Sequence, residues 1–426
     1  MASKLKHHMG ALVNRAQSAF IPGRSIHDNI MVIQQLIHRC NAEKIPAGLL
    51  FVDAAHAYDY LSQEFILSVL KALKFPPLLM RAIELQMSSQ VGQVMVNGDL
   101  TEPFPVTNGG KQGDPLFPLL FIIAMEGLFA SLDIKRQSGE YTGAPTPDPE
   151  RPFMYAGYAD DTVMGIGHED DVQVIEQVLA LFERASGMEV KPSKSWVIWL
   201  GPWKPKTDTV YGCSPTLLPI RYLGILVGHT VTADQHWQQL VDSLSLTALT
   251  WKSLDLSVFG RVLLLNSCLI SKLVHKVMQV PLTTAFRKDI RKRINAYFQR
   301  DRKSTTVSWA QRTLPKQFGG LGQLDIDTHI GLLQAKWHMR YLAGDGGLWS
   351  VFWKHNLGLL SEQLRTSTQL EVLDRNWNTV QATKKGKVHP MVVASLRAWH
   401  SLSLSLNCEQ DGSTLAFTSV ASTSLY

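Results

Sequence analysis

Two short apolar runs in this chain end on carboxylates, and no other feature narrows its fold as far. Residues 48–54 read GLLFVDA and close on Asp53, while FMYAGYADDTVMGIG carries Asp160 and Asp161 at its centre. Short apolar runs bounded by turn signals read as strands, and two of them joined by a tight acidic turn read as a hairpin. A carboxylate at the end of a buried strand is costly unless it is paired or bound to a metal, and hard divalent cations prefer carboxylate oxygens. If the two strands are neighbours in one sheet, the three carboxylates converge, which is the arrangement two-metal phosphoryl transfer requires. The bland meaning of an Asp-Asp pair is a solvated turn, so the surrounding residues must decide.

Those surroundings alternate between strand and helix. After Asp53 a helical pattern starts at Ser62 (SQEFILSVLKAL). QVMVNG alternates like a strand, TNGGKQGDP is loop-forming, and LFPLLFIIAMEGLFASL is a helix apolar nearly all round. A polar, proline-rich insertion spans residues 139–151, and an amphipathic helix spans Asp170 to Ser186. Further strands are predicted at Ser195 to Leu200 and in RYLGILVG. Beyond Ala233 the pattern is helical, with helices expected near 233–251, 257–279, 284–299 and 325–342. Past Gly344 it weakens, and the end of the chain is rich in serine and threonine with no clear period.

Composition sets the class. With 426 residues, 45% hydrophobic and 18% charged, the chain is long enough for two or three packed units and too apolar for a disordered one. No run of about 18 uninterrupted apolar residues is visible, and MASKLKHHMG has no signal-peptide core, so a location in cytosol or nucleus and no membrane partner are expected. Cys40, Cys213, Cys268 and Cys408 are scattered, which suggests neither a disulfide framework nor a zinc module. The net charge is +6, but residues 251–316 hold fourteen Lys and Arg against three Asp, a local +11 that leaves −5 for the rest. Positive charge gathered in one segment is what a phosphate-backbone footprint looks like, although a solvated helix face is its commoner meaning.

FVDAAHAYDYL, GGKQGDPLFPLLF and YADD follow one another at separations that resemble three successive palm motifs of reverse transcriptases. NRAQSAFIPGRSIHDNI is similar to the family's segment just upstream of the first motif, SGMEVKPSKS to its fourth motif and YLG to its primer-grip hairpin. WKSLDLSVFGRVLLL and PKQFGGLGQLDI resemble thumb and post-thumb sequences of the non-LTR retrotransposon branch. The resemblance covers about Leu5 to Leu342. It implies an α+β fold, a right-hand polymerase palm of antiparallel strands backed by helices, with partial fingers over residues 1–47. The palm with its primer-grip hairpin would span 48–232, a basic helical thumb and post-thumb 233–345, and a poorly defined tail 346–426. It also implies that the upstream fingers segment and any endonuclease domain of the family fall before Met1.

The resemblance further implies an RNA-directed DNA polymerase that takes an RNA template, a DNA primer and deoxynucleoside triphosphates. Two Mg2+ ions, with Mn2+ as a substitute, would be held by Asp53, Asp160 and Asp161. Tyr58 would close the sugar pocket against a 2′-hydroxyl, with His56 and Ala57 beside it. Gln112 and Gly113 would lie under the incoming nucleotide, Arg24 would contact template or triphosphate, and Lys194 would donate a proton to the leaving pyrophosphate. Tyr158 would lie beside the primer end, and Tyr222, Leu223 and Gly224 would grip the primer backbone. The sequence departs from the family at His56 (often Lys), Lys111 (often Arg), Phe117 (usually Ser) and Lys191 (often Asn). Phe117 in particular is expected to place a large ring near the nucleotide and template contacts. The alternative reading is a catalytically dead, nucleic-acid-binding remnant.

Overall fold

The computed structural model describes residues 1–88, 90–111, 113–203, 209–252, 256–299, 307–364, 372, 386–402, 404–408 and 415–419. The chain divides into two compact units, Met1–Leu223 and Gly224–Tyr426. In chain order the first unit contains α1 (Ala2–Leu12), α2 (Ile26–Glu43), β1 (Ala47–Val52), β2 (Ala54–Ala55), α3 (Ala57–Tyr60), α4 (Gln63–Ala72) and α5 (Pro77–Ser88). Four two-residue strands follow, β3 (Val91–Gly92), β4 (Met95–Val96), β5 (Asp99–Leu100) and β6 (Phe104–Pro105). Then come α6 (Phe117–Gln137), β7 (Tyr155–Tyr158), β8 (Asp161–Ile166), α7 (Asp170–Ser186), β9 (Glu189–Val190), β10 (Trp196–Leu200), β11 (Ser214–Pro215) and β12 (Ile220–Tyr222).

β1 is the centre of a sheet ordered β11-β10-β1-β8-β7. It runs antiparallel to β8 and β10, and only the short β10–β11 pair is parallel. Every residue of β1 is buried, so both faces of the sheet are covered there. Leu50, Val52, Met164, Ile166 and Val197 join one cluster with the apolar faces of α1, α4, α6 and α7. The alternate side chains Leu49 and Phe51 are buried too, and α2 packs along β7 and β10. This period-two division of side chains between faces fixes the register. Helix starts follow the capping residues: the Ser25 hydroxyl accepts from His27 N at α2, and the Ser62 hydroxyl from Phe65 N at α4. The expected strand in QVMVNG is a small exposed hairpin, β4–β5, turned on Asn97 and Gly98 at positive φ.

α6 and the helical stretch 258–277 are long and apolar enough to cross a membrane by length and composition alone. In α6 that apolarity meets the core: Phe121, Ile122, Ile123, Phe129 and Leu132 are fully enclosed. The insertion after α6 is fastened by Asp171. Its carboxylate accepts from Thr142 N and Oγ1, Gly143 N, Gly167 N and His168 N.

The second unit begins with β13 (Ile225–Val227). Its helices are α8 (Ala233–Lys252), α9 (Val258–Leu264), α10 (Ser271–Val277), α11 (Thr284–Gln299), α12 (Trp309–Thr313), α13 (Ile326–Leu342), α14 (Leu348–Leu364) and α15 (Pro390–Ser401), followed by the strand pair β14 (Leu404–Cys408) and β15 (Leu415–Ser419). A π-helical segment, Leu265–Ile270, joins α9 to α10. Residues past Gly344, where the sequence pattern weakens, still contribute two helices. Trp349, Phe352 and Trp353 of α14 are buried, with Trp337 of α13 packed 4.9 Å from Trp349, and α15 lies against α13. The tryptophans belong to one helical stripe of α14, Trp349, Phe352, Trp353, Asn356, Leu357 and Leu360, all buried.

The basic segment is not a uniform phosphate-facing surface. Arg261 and Arg312 are buried: Arg261 donates to the carbonyls of Leu256 and Tyr297, and Arg312 stacks over Phe298 and Trp309. Arg287 and Arg291 share Asp327, Arg293 pairs with Asp289, and Lys276 donates to the His236 carbonyl. Lys272, Lys288, Lys292 and Lys316 are exposed. Arg300, Arg302 and Lys303 lie outside the described residues. Much of the local +11 therefore works inside the unit, because a guanidinium can stack and bridge where an ammonium stays hydrated.

Candidate active site

Asp53 leaves the end of β1, and Asp160 and Asp161 form the tip of the β7–β8 hairpin. Val52 lies opposite Thr162 and Tyr158 opposite Asp161. The register therefore brings Asp53 beside the hairpin tip, as neighbouring strands require. The carboxylates share one field. Asp160 is pushed up from the usual carboxylate range first by burial and then, against local backbone hydrogen bonds, by the charge of Asp53. Asp161 rises to about 6 through desolvation and then the charges of Asp160 and Asp53. Its outer face is open to solvent, but the protein crowds it enough for desolvation to lead.

Among the described residues no three His, Cys, Asp or Glu side chains close into a ready-made metal cage. The donor chemistry nonetheless fits a hard dication. The charge of Asp53 raises both Asp160 and Asp161, and no basic side chain is among the groups that set those two shifts.

Asp53 is held by its backbone. Asp53 N donates to Ser195 Oγ at 3.0 Å, the Ser195 hydroxyl donates to the Lys191 carbonyl at 2.9 Å, and Lys191 N donates to the Asp53 carbonyl at 2.9 Å. The loop KPSKS thus grips the peptide groups on both sides of the Asp53 side chain. Ser195 is fully buried and escapes a search for chemistry, because a serine between Lys194 and Trp196 carries no charge or period. Lys194, in contrast, ends a short 3-10 turn with its side chain exposed.

Tyr58 lies on α3, just after Asp53 and β2. It stacks on Phe121 with centroids 4.5 Å apart, leans on Phe117 at 5.7 Å, and its hydroxyl is raised to about 12 by burial, then by Asp160 and Tyr158. Phe117 is buried at 2% exposure, so its ring does not reach toward bound ligands as the sequence suggests. It fills the space under Gly110, where a Cβ would stand 2.0 Å from the ring, and so supports Tyr58 from below. Gly109 is needed for close approach as well: it has φ +66°, and a Cβ there would meet the Tyr58 carbonyl at 2.3 Å. His56 begins α3 at φ 46° and is exposed, 5.5 Å from Tyr60, whereas Ala57 is buried.

Other expected contacts are arranged differently. Arg24 does not extend to a ligand: it donates to the carbonyls of Gly10, Val13, Asn14 and Gln17, closing the end of α1. A rigid five-donor fork is better suited to orphan carbonyls at a helix end than any other side chain. Tyr222 is buried, edge-on to Phe51 at 5.5 Å, with its hydroxyl raised by desolvation and then by Asp161. Its ring therefore packs against the strand that leads to Asp53, and Leu223 follows it at φ 47°. Tyr158 is half-buried and Gly113 is exposed at φ 94°. Gln112 lies outside the described residues.

The family profile described as reverse transcriptase (RNA-dependent DNA polymerase) matches residues 1–227. The transposon TX1 uncharacterized 149 kDa protein of Xenopus laevis is 25% identical over 347 residues, 80% of this chain and 26% of that protein. The retrovirus-related Pol polyprotein from type-1 retrotransposable element R2 of Popillia japonica is 24% identical over 166 residues, 39% of this chain and 26% of that one. This chain thus spans about a quarter of the length of these relatives. Among solved structures, telomerase from Candida albicans in complex with a TWJ fragment of telomeric RNA aligns at 12% identity and a TM-score of 0.42, over 79% of this chain and 53% of that one. Reverse transcriptases as a family use divalent metals, and the mixed sheet backed by helices is the palm of such an enzyme. The chain belongs to the reverse transcriptase family, in its non-LTR retrotransposon branch, and is by descent an RNA-directed DNA polymerase.

Proposed function

We propose that this chain itself adds deoxynucleotides to a DNA primer 3′-end under the direction of an RNA template. The observation that carries this reading is the meeting of Asp53, Asp160 and Asp161 at adjacent strand ends, with the charge of Asp53 bearing on both other acids and Tyr58 beside them. Asp53, Asp160 and Asp161 would hold two Mg2+ ions, or Mn2+ in their place; bound there, the metal supplies activation of the primer hydroxyl and neutralisation of the pyrophosphate.

The chain's own residues supply position and selection. Tyr58, fixed by its stack on Phe121, presents a rigid edge to the sugar and excludes a 2′-hydroxyl. Tyr158 borders the primer end, Tyr222, Leu223 and Gly224 steady the primer strand, and Gln112 with Gly113 underlies the incoming base. Lys194 is the proton donor to the departing pyrophosphate. The helical second unit acts as thumb and meets duplex phosphates through lysines such as Lys288 and Lys292.

The test is primer extension on an RNA template with Mg2+ and deoxynucleotides, comparing the chain with Asp160→Ala and Asp161→Ala. Extension by the unaltered chain and its loss in both variants is the expected result. Equal signals from all three would remove the enzymatic reading, and duplex binding without extension by the unaltered chain would identify a remnant.

A further inference from the structure

The hairpin tip that carries Asp160 and Asp161 contains an uncomfortable residue. Tyr158 pairs with Asp161, so Ala159 and Asp160 are the two central residues of the turn, and Ala159 sits at φ 56°. A positive φ at the first central position is the type II′ arrangement that glycine normally supplies. A residue with a Cβ is disfavoured there and stays only where its surroundings hold it.

Gln17 does the holding. It is fully buried, its Oε1 accepts from Ala159 N at 3.0 Å, and its Nε2 donates to the Ala159 carbonyl at 3.2 Å. One side chain thereby satisfies both backbone groups of the residue just before the two acids. Oε1 also accepts from Ala19 N at 3.0 Å, which fixes the amide from its own side. The flanking backbone is tied to the sheet's edge strand: Ser18 N donates to the Gly157 carbonyl at 2.9 Å, and Gly157 N to the Ala16 carbonyl at 3.0 Å. Asn29 Nδ2 donates to the Gly157 carbonyl as well, at 2.8 Å. Gly157 has no Cβ where one would stand 3.0 Å from Gln17 Nε2 and 2.7 Å from the Phe129 ring, so the glycine leaves the path for the amide open.

We propose that Gln17 is a positioning residue for the catalytic hairpin: its side-chain amide, bonded to both backbone groups of Ala159, fixes the turn from which Asp160 and Asp161 project. The proposal rests on the polymerase reading above. A glutamine that served stability alone would need only some buried partner. This one binds the two peptide groups that flank Ala159, whose displacement passes directly to both acids.

The test uses the full chain with Gln17→Leu, which keeps the volume and removes the amide, Gln17→Glu, which keeps the acceptor, and each combined with Ala159→Gly. Amide exchange is read on 15N-alanine-labelled protein, with Ala156 in the neighbouring strand and Ala124 in α6 as folded controls. In Gln17→Leu the Ala159 amide should exchange at least about tenfold faster while both controls stay protected. The kcat of primer extension should fall on the order of 100-fold, with KM for the nucleotide within about twofold, as for a small misplacement of reacting groups. Ala159→Gly added to Gln17→Leu should restore about tenfold in kcat, because glycine adopts the turn unaided.

Unchanged Ala159 exchange in Gln17→Leu overturns the proposal. So does a kcat that glycine fails to restore, since lost packing is not repaired at residue 159. If Gln17→Leu exposes the controls, Gln17→Glu decides by the same two readouts. An unaltered chain that extends no primer, while its Ala159 amide still depends on Gln17, overturns the polymerase reading and not the clamp.

Discussion

Replacing Glu126 by glutamine should make the first unit more stable in mild alkali and leave it nearly unchanged in mild acid. Glu126 lies on α6, and its Oε1 is buried without a hydrogen-bond partner. Burial pushes its carboxyl up to about 7, ahead of the lowering effects of an Asn14 backbone hydrogen bond and the Arg24 charge, with Asp133 adding a further rise. A carboxyl whose folded pKa is raised contributes stability that is complete below its unfolded pKa, about 4.5, and is lost as pH climbs through about 7. At about 1.4 kcal/mol per pH unit that span corresponds to about 3 kcal/mol, and solvent near the second oxygen reduces the figure to about 1–3 kcal/mol. Glu126→Gln removes the ionisation, so at pH 8 the unit should gain about 1–3 kcal/mol, while at pH 5 the change should stay within about 0.5 kcal/mol. Urea unfolding of the full chain, followed by pulsed hydrogen exchange in the β1 and α6 peptides, reads this unit separately from the other. Equal gains at both pH values, or a loss at pH 8, would refute the reasoning.

Four further outcomes follow from the packing. Phe117→Ser restores the family's commoner residue but removes the support under Tyr58, so discrimination against ribonucleotides should fall several-fold in competition assays, with a cavity cost of about 3 kcal/mol in stability. Arg24→Lys keeps the charge and loses the fork: a drop of about 2 kcal/mol in unfolding free energy with an unchanged nucleotide KM supports the helix-end role, whereas a raised KM restores the triphosphate role. Asp171→Asn strips charge from an acceptor of five hydrogen bonds and should cost about 3 kcal/mol, read as faster exchange in residues 139–151. Lys288→Gln with Lys292→Gln should weaken duplex binding and reduce the slope of log affinity against log salt by about 2, while Arg293→Gln, which breaks the pair with Asp289, should leave that slope nearly unchanged.

The elements that carry chemistry were legible because their signals are strong. An apolar strand that ends on an acid, a hairpin with two acids at its tip, and a helix begun by a capping serine can each be read from a few adjacent residues. β1, the β7–β8 hairpin, α4, α7 and α11 all lie where those patterns predict them. Tail helices α14 and α15 were not legible. In α14 the buried Trp349, Phe352, Trp353, Asn356, Leu357 and Leu360 do fall at helical spacing, but Leu348, Val351 and Leu359 on its other sides are apolar as well and blur the stripe.

The site itself divides along the same line. Charged residues invite a functional reading, yet Arg24 and several arginines of the second unit are consumed by carbonyls, rings and Asp327. The groups that hold the candidate carboxylates are neutral and bind backbone: Ser195 accepts from Asp53 N, and Gln17 brackets Ala159. A neutral side chain is well suited to that work. A cation beside three carboxylates would compete with the metal they are to bind, whereas an amide or hydroxyl fixes the peptide and leaves the carboxylate's charge free. On the proposed function, the acids would identify the reaction and uncharged residues set its geometry. Substitutions at Gln17 or Ser195 should therefore lower kcat without moving the pKa of Asp161, and a variant that moved that pKa by more than about one unit would show that charge, not position, had been disturbed.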